Sequence, residues 1–219
     1  MTIQLVEPTM IFRVPLSVYT VPTGYEARAL YVHARKTKAG TWNELMLEAQ
    51  NSGCRLPTAA EWYIAREFLK QRDPESEKDF IQNVSEWSGT VLDYTRGELL
   101  EGITLGPDGE ITAVEKRLGR EQGIVLPKKS GYVRNLDGIY IPLVHHLWGV
   151  EDIEELPEHA YLWVNPTGFT PVVRGRWVHE TIDSRRDDVV ARYGAEGVSY
   201  AARFASETRP EDATIIEFE

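Results

Sequence analysis

Cysteine is almost absent from this chain: Cys54 is the single thiol in 219 residues. One thiol cannot close an intramolecular disulfide, and it has no second thiol with which to build a zinc knuckle or a dithiol redox pair. Long apolar runs are missing too. The longest candidates, such as Ile139 to Val144, are interrupted by Pro142 and fall well short of the roughly 20 residues that a membrane-spanning helix requires. Membrane insertion is therefore not expected. The first ten residues carry no basic cluster and meet Glu7 and Pro8 before any apolar core forms, so the expectation is synthesis in the cytoplasm without a Sec-type signal. Positive charge is in deficit, with 24 Lys and Arg against 34 Asp and Glu and a formal net charge of −10. A surface of that sign opposes a phosphate backbone, which argues against nucleic acid as a partner. Gly-rich phosphate loops, a Gly-x-Ser-x-Gly elbow, internal repeats and low-complexity blocks are also lacking.

What is present is an ordinary globular composition, 42% hydrophobic and 26% charged, which supports one packed core and excludes a disordered chain. The length fits a single domain over residues 1–219. Six Trp and ten Tyr suit either a thick core or an amphipathic binding surface.

The predicted elements define an α+β class, two early helices against a mostly antiparallel sheet. Residues 11–21 and 27–34 are rich in β-branched and aromatic side chains and flank a Pro22-Thr23-Gly24 turn, which predicts an antiparallel pair. Thr41 with Glu44 forms one capping box, opening a helix that carries Trp42, Leu45, Leu47 and Ala49 and stops at Gly53. Thr58 with Glu61 forms a second, opening a helix with Trp62, Ala65, Phe68 and Leu69 that ends at Asp73-Pro74. Beyond residue 88 the texture changes to short strands. Residues 103–105 and 110–114 around Gly106-Pro107-Asp108-Gly109 predict a hairpin, within a loop-rich insertion at about 95–160 that includes an acidic run from Glu151 to Glu158. Strands are expected at 161–164, 169–177 and 198–204, followed by a polar tail.

Three segments in order resemble one family, the formylglycine-generating, or sulfatase-modifying-factor, type of C-type lectin fold. Gly53-Cys54-Arg55-Leu56-Pro57-Thr58-Ala59-Ala60-Glu61-Trp62 is similar to the family's Gly turn, Arg-Leu-Pro-Thr and Glu-Trp helix. Asn83-Val84-Ser85-Glu86-Trp87-Ser88 resembles its Asn-Val-x-Glu-Trp segment. Val172-Val173-Arg174-Gly175-Arg176-Trp177 resembles its Arg-Gly-Gly-x-Trp strand, and Arg203 stands where a closing Gly-Phe-Arg strand is expected, although Ala201-Ala202 replace the usual Gly-Phe. The resemblance spans residues 41–94 and 160–206. It implies that Trp62, Trp87 and Trp177 are buried framework and that Arg55 or Arg174 is bonded to backbone.

Such a family hosts several functions. Its founding activity oxidises a substrate cysteine through copper held by two enzyme cysteines, and one thiol cannot build that site. A second branch uses non-haem iron held by histidines. Here the only histidine cluster is His145-His146, and adjacent residues on a strand point to opposite faces, so the pair is poorly arranged to chelate one metal. An iron enzyme is the alternative reading. The leading expectation is non-catalytic and without cofactor: the resemblance extends to the variable proteins of diversity-generating retroelements, which display a diversified patch near the C-terminus, on a virion or cell surface, toward a protein or surface ligand.

The corresponding stretch here, residues 176–200, is dense in charged and aromatic groups. Adenine randomisation of an Asn codon ending in a pyrimidine yields residues such as His, Asp, Ser, Arg and Tyr but not Glu or Trp. Trp177, Glu180 and Glu196 are then framework. Arg176, His179, Asp183, Arg185, Asp187 and Tyr193 are the candidate ligand-binding residues, a mixture of cation, anion and ring that a selectable surface would contain. An ordinary solvated loop would carry the same composition.

Overall fold

The structure, a computed structural model, describes residues 9–15, 29–73, 75, 86–93, 96, 98–119, 131–134, 161–164, 169–174, 189–191 and 199–218. Two sheets and two helices organise them. A four-stranded sheet in the order β10-β2-β1-β11 comprises β1 (Thr9–Pro15), β2 (Ala29–His33), β10 (Ala205–Ser206) and β11 (Ala213–Ile215). A seven-stranded sheet in the order β5-β4-β3-β8-β9-β7-β6 comprises β3 (Glu86–Asp93), β4 (Glu98–Leu105), β5 (Ile111–Leu118), β6 (Gly131–Arg134), β7 (Tyr161–Val164), β8 (Phe169–Arg174) and β9 (Val189–Ala191). Most ladders are antiparallel; β1 with β11 and β7 with β9 run parallel. The class is α+β. No described helix is long and apolar enough to cross a membrane.

Both helices begin as their local chemistry dictates. α1 (Trp42–Asn51) and α2 (Ala59–Arg72) each open on a complete capping box, with the Thr41 and Thr58 hydroxyls accepting from the amides of Glu44 and Glu61 and the two carboxylates accepting from the threonine amides. Gly53, at φ 70°, turns the chain between them in the left-handed region. α1 buries Trp42, Leu45, Met46 and Ala49 with Leu56, Trp87, Val91, Leu100 and Phe204. α2 buries Trp62, Ile64, Ala65, Phe68 and Leu69 with Phe12, Val14, Leu30 and Val32 of the four-stranded sheet. One helix thus serves each of two clusters; β3 gives Trp87 and Val91 to the first, while the 200–206 segment gives Ala202 and Phe204 to the first and Ala205 to the second.

Several boundaries differ from the sequence reading. Glu86 to Asp93 is a strand with every residue buried, so neither face offers the polar alternation that marks a half-exposed strand. Residues 198–204 were expected as a strand, but Tyr200 and Ala201 make isolated bridges, to Gly40 and to Glu86, and regular pairing begins only at Ala205. The segment changes partner almost every residue, which prevents a ladder. The polar tail contains β11, whose residues 213–215 lie parallel to residues 9–11 of β1. In the 95–160 stretch the described residues include the hairpin of β4 and β5, closed through the Gly106 amide donating to the Glu110 carbonyl. Residues 16–28, 120–130 and 135–160 lie outside the described residues, as does the continuation of β8 expected over 175–177.

Candidate functional site

β3 begins at Glu86 and is flanked there on both sides. On one side Glu86 pairs with Arg174 and Trp87 with Val173 of β8, antiparallel. On the other, Glu86 bridges Ala201 in parallel, and the Trp87 amide donates to the Ala201 carbonyl at 2.9 Å. Residues 174 and 201, the two ends of the candidate binding stretch, therefore stand on opposite sides of one residue, about 9–10 Å apart as two inter-strand spacings. Between them in sequence, β9 adds a third fixed point on the far side of β8 from β3, with Ala191 opposite Val172 and Val190 opposite Val173. That pairing was not legible as a strand within a polar run.

The return end is fastened at nearly every residue. Gly40 and Tyr200 exchange both backbone hydrogen bonds at 3.0 Å. The Thr37 amide donates to the Ala202 carbonyl at 2.9 Å, while the Ala202 amide donates to the Thr37 hydroxyl at 3.0 Å. The His33 amide donates to Phe204, and Arg55 and Ala205 exchange bonds of 2.9 and 2.8 Å. Trp87 supports this ribbon from beneath: its ring meets Tyr200 edge-on at 5.0 Å and its Nε1 donates to the Gly40 carbonyl at 3.0 Å.

Charge is buried at the same place. Glu86 has no exposed surface and Arg203 is 1% exposed. Arg203 Nε donates to Glu86 Oε1 at 3.2 Å, and Nη1 donates to the Ala34 carbonyl. Trp62 Nε1 donates to Glu86 Oε2 at 3.1 Å, and Lys36 Nζ stands 4.0 Å from Oε1. Removal from water is the largest influence on the Glu86 carboxyl and raises its pKa, while Arg203, Lys36 and the Trp62 bond pull it back. Both carboxylate oxygens are occupied, as a buried charge requires. The expected Arg55 contact with backbone is present, at 3.3 Å to the Leu56 carbonyl, beside a two-pronged pair with Glu61 at 2.6 and 2.8 Å.

Trp62 and Trp87 are buried at 1% and 0% exposure, as the resemblance implied; Trp177 and the Arg174 side chain lie outside what is described. Arg176, His179, Asp183, Arg185, Asp187 and Tyr193 all lie outside the described residues, as do His145 and His146. In sequence, the first five belong to the connection from β8 to β9 and Tyr193 to the connection from β9 to Tyr200. Cys54 is half-buried; burial pushes its thiol up, against a weaker bond from Ser52, so it is not a ready thiolate. Its Sγ lies 3.9 Å from His33 Nε2. Among the described residues no three His, Cys, Asp or Glu side chains are grouped to hold a metal ion.

Set beside known proteins, the chain matches no family model, no curated protein and no solved structure. The α+β class stands on the geometry alone.

Proposed function

We propose that the chain is a non-catalytic ligand-binding protein with the formylglycine-generating-enzyme type of C-type lectin fold. In this reading it is a retroelement-diversified variable protein of viral or prokaryotic origin, and its binding surface lies within residues 176–200. The observation that carries the reading is the closure of both ends of that segment on Glu86, with β9, between them in sequence, tied to β8. A segment whose stems are fixed by a buried scaffold can change sequence without changing the scaffold. The three motifs give independent support: Arg55 and Glu61 of the first pair with each other, Glu86 and Trp87 of the second bind the return ribbon, and Arg174 of the third closes the ladder on Glu86.

Replacing Arg176, His179, Asp183, Arg185, Asp187 and Tyr193 together by Ala tests this. The reading assigns all six to an exposed surface, so the expected outcome is a melting temperature nearly unchanged, since substitutions at such a surface each alter stability by about 0.5 kcal/mol or less. Binding of the natural protein on an array of cell-surface proteins and glycans should be lost in the variant. Unfolding of the variant, or identical array profiles for the two proteins, would refute the display reading.

A further inference from the structure

We propose that the basic turn at residues 35–38 is a docking surface for a short acidic segment of a partner protein, engaged through Lys38 and Arg35. The surface lies outside residues 176–200 and does not depend on the reading of that stretch.

The sequence sets the charge. In a chain of formal net charge −10, Arg35-Lys36-Thr37-Lys38 places three cations in four residues, and no Asp or Glu occurs from Ala27 to Asn43. The fold then turns the segment outward. The His33 amide donates to the Phe204 carbonyl and the Thr37 amide to the Ala202 carbonyl, both at 2.9 Å, so four steps of one chain lie opposite two of the other. The surplus leaves the pairing, as in a bulge. Ala34 is held to Met10 and Gly40 to Tyr200, so two arches, 35–36 and 38–39, rise from a backbone pinned at 34, 37 and 40. On the first arch Lys36 turns inward, 15% exposed and 4.0 Å from Glu86, while Arg35 is exposed. On the second, Lys38 and Ala39 are exposed. Thr37 between them is engaged in the scaffold, its hydroxyl accepting from the Ala202 amide and donating to the Lys38 carbonyl. Recognition therefore falls to the two cations, and the pinned backbone spares the turn an ordering cost on binding.

The partner's chemistry follows from the surroundings. Beneath the turn Arg203 bonds the buried Glu86, and at its far end Glu44 accepts from the Thr41 amide and hydroxyl at 2.8 and 2.9 Å. Both carboxylates are thus engaged, and the turn keeps a local positive sign. At physiological salt fields fade over about 8 Å, so this local sign governs a short ligand. A long polyanion would run past Glu44 onto the acidic remainder of the chain. A peptide with two or three carboxylates meets the turn alone, with the planar fork of Arg35 suited to a two-pronged contact and Lys38 acting as a point charge. Among the described residues the one exposed large hydrophobic is Phe169, on β8, so the turn offers no apolar anchor and the contact rests on charge.

The probe is a short peptide of alternating Gly and Glu with blocked ends, set against the same peptide with Gln for Glu, and binding to the full chain is followed through its amide chemical shifts. The acidic peptide should shift the amides of residues 35–40, the Gln peptide should not, and raising the salt from about 20 to about 300 mM should weaken the binding. Lys38→Glu should weaken it about tenfold or more, the change expected when a charge-assisted contact is lost, and should leave the urea midpoint unchanged; Arg35→Ala should act in the same direction. No shift at 35–40, equal binding of the Gln peptide, or full binding by Lys38→Glu would overturn the proposal. Failure of Lys38→Glu to fold would overturn it as well, since Lys38 would then be part of the scaffold. A DNA duplex that shifts the same amides as strongly would replace the acidic peptide with polyanions at large. Peptide binding lost in the six-alanine variant of residues 176–193 but kept in Lys38→Glu would place the site in that stretch and overturn the proposal. Peptide binding kept in the six-alanine variant, with an array profile identical to that of the natural protein, would refute the display reading and leave the basic turn standing.

Discussion

Trp87 joins three features of the molecule: its indole fills the cluster under α1, its Nε1 fixes Gly40 and its backbone holds Ala201. Trp87→Ala should lower stability by about 3–5 kcal/mol, read from urea unfolding, since the cavity left by a fully buried ring does not collapse completely. His33 makes a pH-dependent contribution of definite sign. Burial lowers its pKa, so the folded imidazole stays neutral where the unfolded one, with an ordinary pKa of about 6.5, takes up a proton. Protons then favour the unfolded chain. The His33 contribution is fully present above that ordinary value and is lost as pH falls through it toward the folded pKa. Urea midpoints at pH 7.5 and 5.5 should therefore differ more for the natural protein than for His33→Gln, with the other four histidines supplying a background common to both. Equal differences would show that the ring near Cys54 and Phe204 does not resist protonation.

Among the elements, α1 and α2 were legible because their signals are local: a threonine, a glutamate three residues on, and apolar residues at helical spacing. β1 and β2 were legible for the same reason. β3 was not, because its central Ser88, Gly89 and Thr90 are small and polar while buried against neighbours distant in sequence. The Ser88 hydroxyl donates to the Val172 carbonyl at 2.8 Å, and the Thr90 hydroxyl joins the Ala59 amide to Glu101. Gly89 shows how tight this crossing is. Its amide donates to the Pro57 carbonyl at 2.7 Å, and a Cβ built on it would lie 2.8 Å from the Leu56 carbonyl oxygen, which is backbone and cannot swing aside. Gly89→Ala should destabilise by about 1–3 kcal/mol, as overpacked sites do, despite adding only a methyl group. An alanine variant as stable as the natural protein would mean that β3 and the 55–57 turn are not in contact as described.

At the scale of the molecule, the sequence carried the α+β class and the framework residues of the candidate site better than its topology. Arg55, Glu61, Trp62, Glu86, Trp87 and Arg203 come from segments separated by long stretches of chain, and their shared motif pattern marked them before their contacts were known. The parallel strand β11 and the short strand β9 left no such mark, and 200–206, expected as one strand over 198–204, gave no sign of its changes of partner. Each is only a few residues long and is fixed by pairing partners far away in the chain. The acidic net charge and single thiol narrowed the function classes, and the closure of 174 and 201 on Glu86 gave the candidate surface a mount. The most direct measurement of the central claim is the DNA sequence around the gene in independent isolates. The account predicts a neighbouring reverse transcriptase and an imperfect second copy of the region encoding residues 176–200, with differences confined to adenines and with the codons for Trp177, Glu180 and Glu196 unchanged. An isolated gene with no second copy, or differences spread evenly across framework and candidate codons alike, would contradict it.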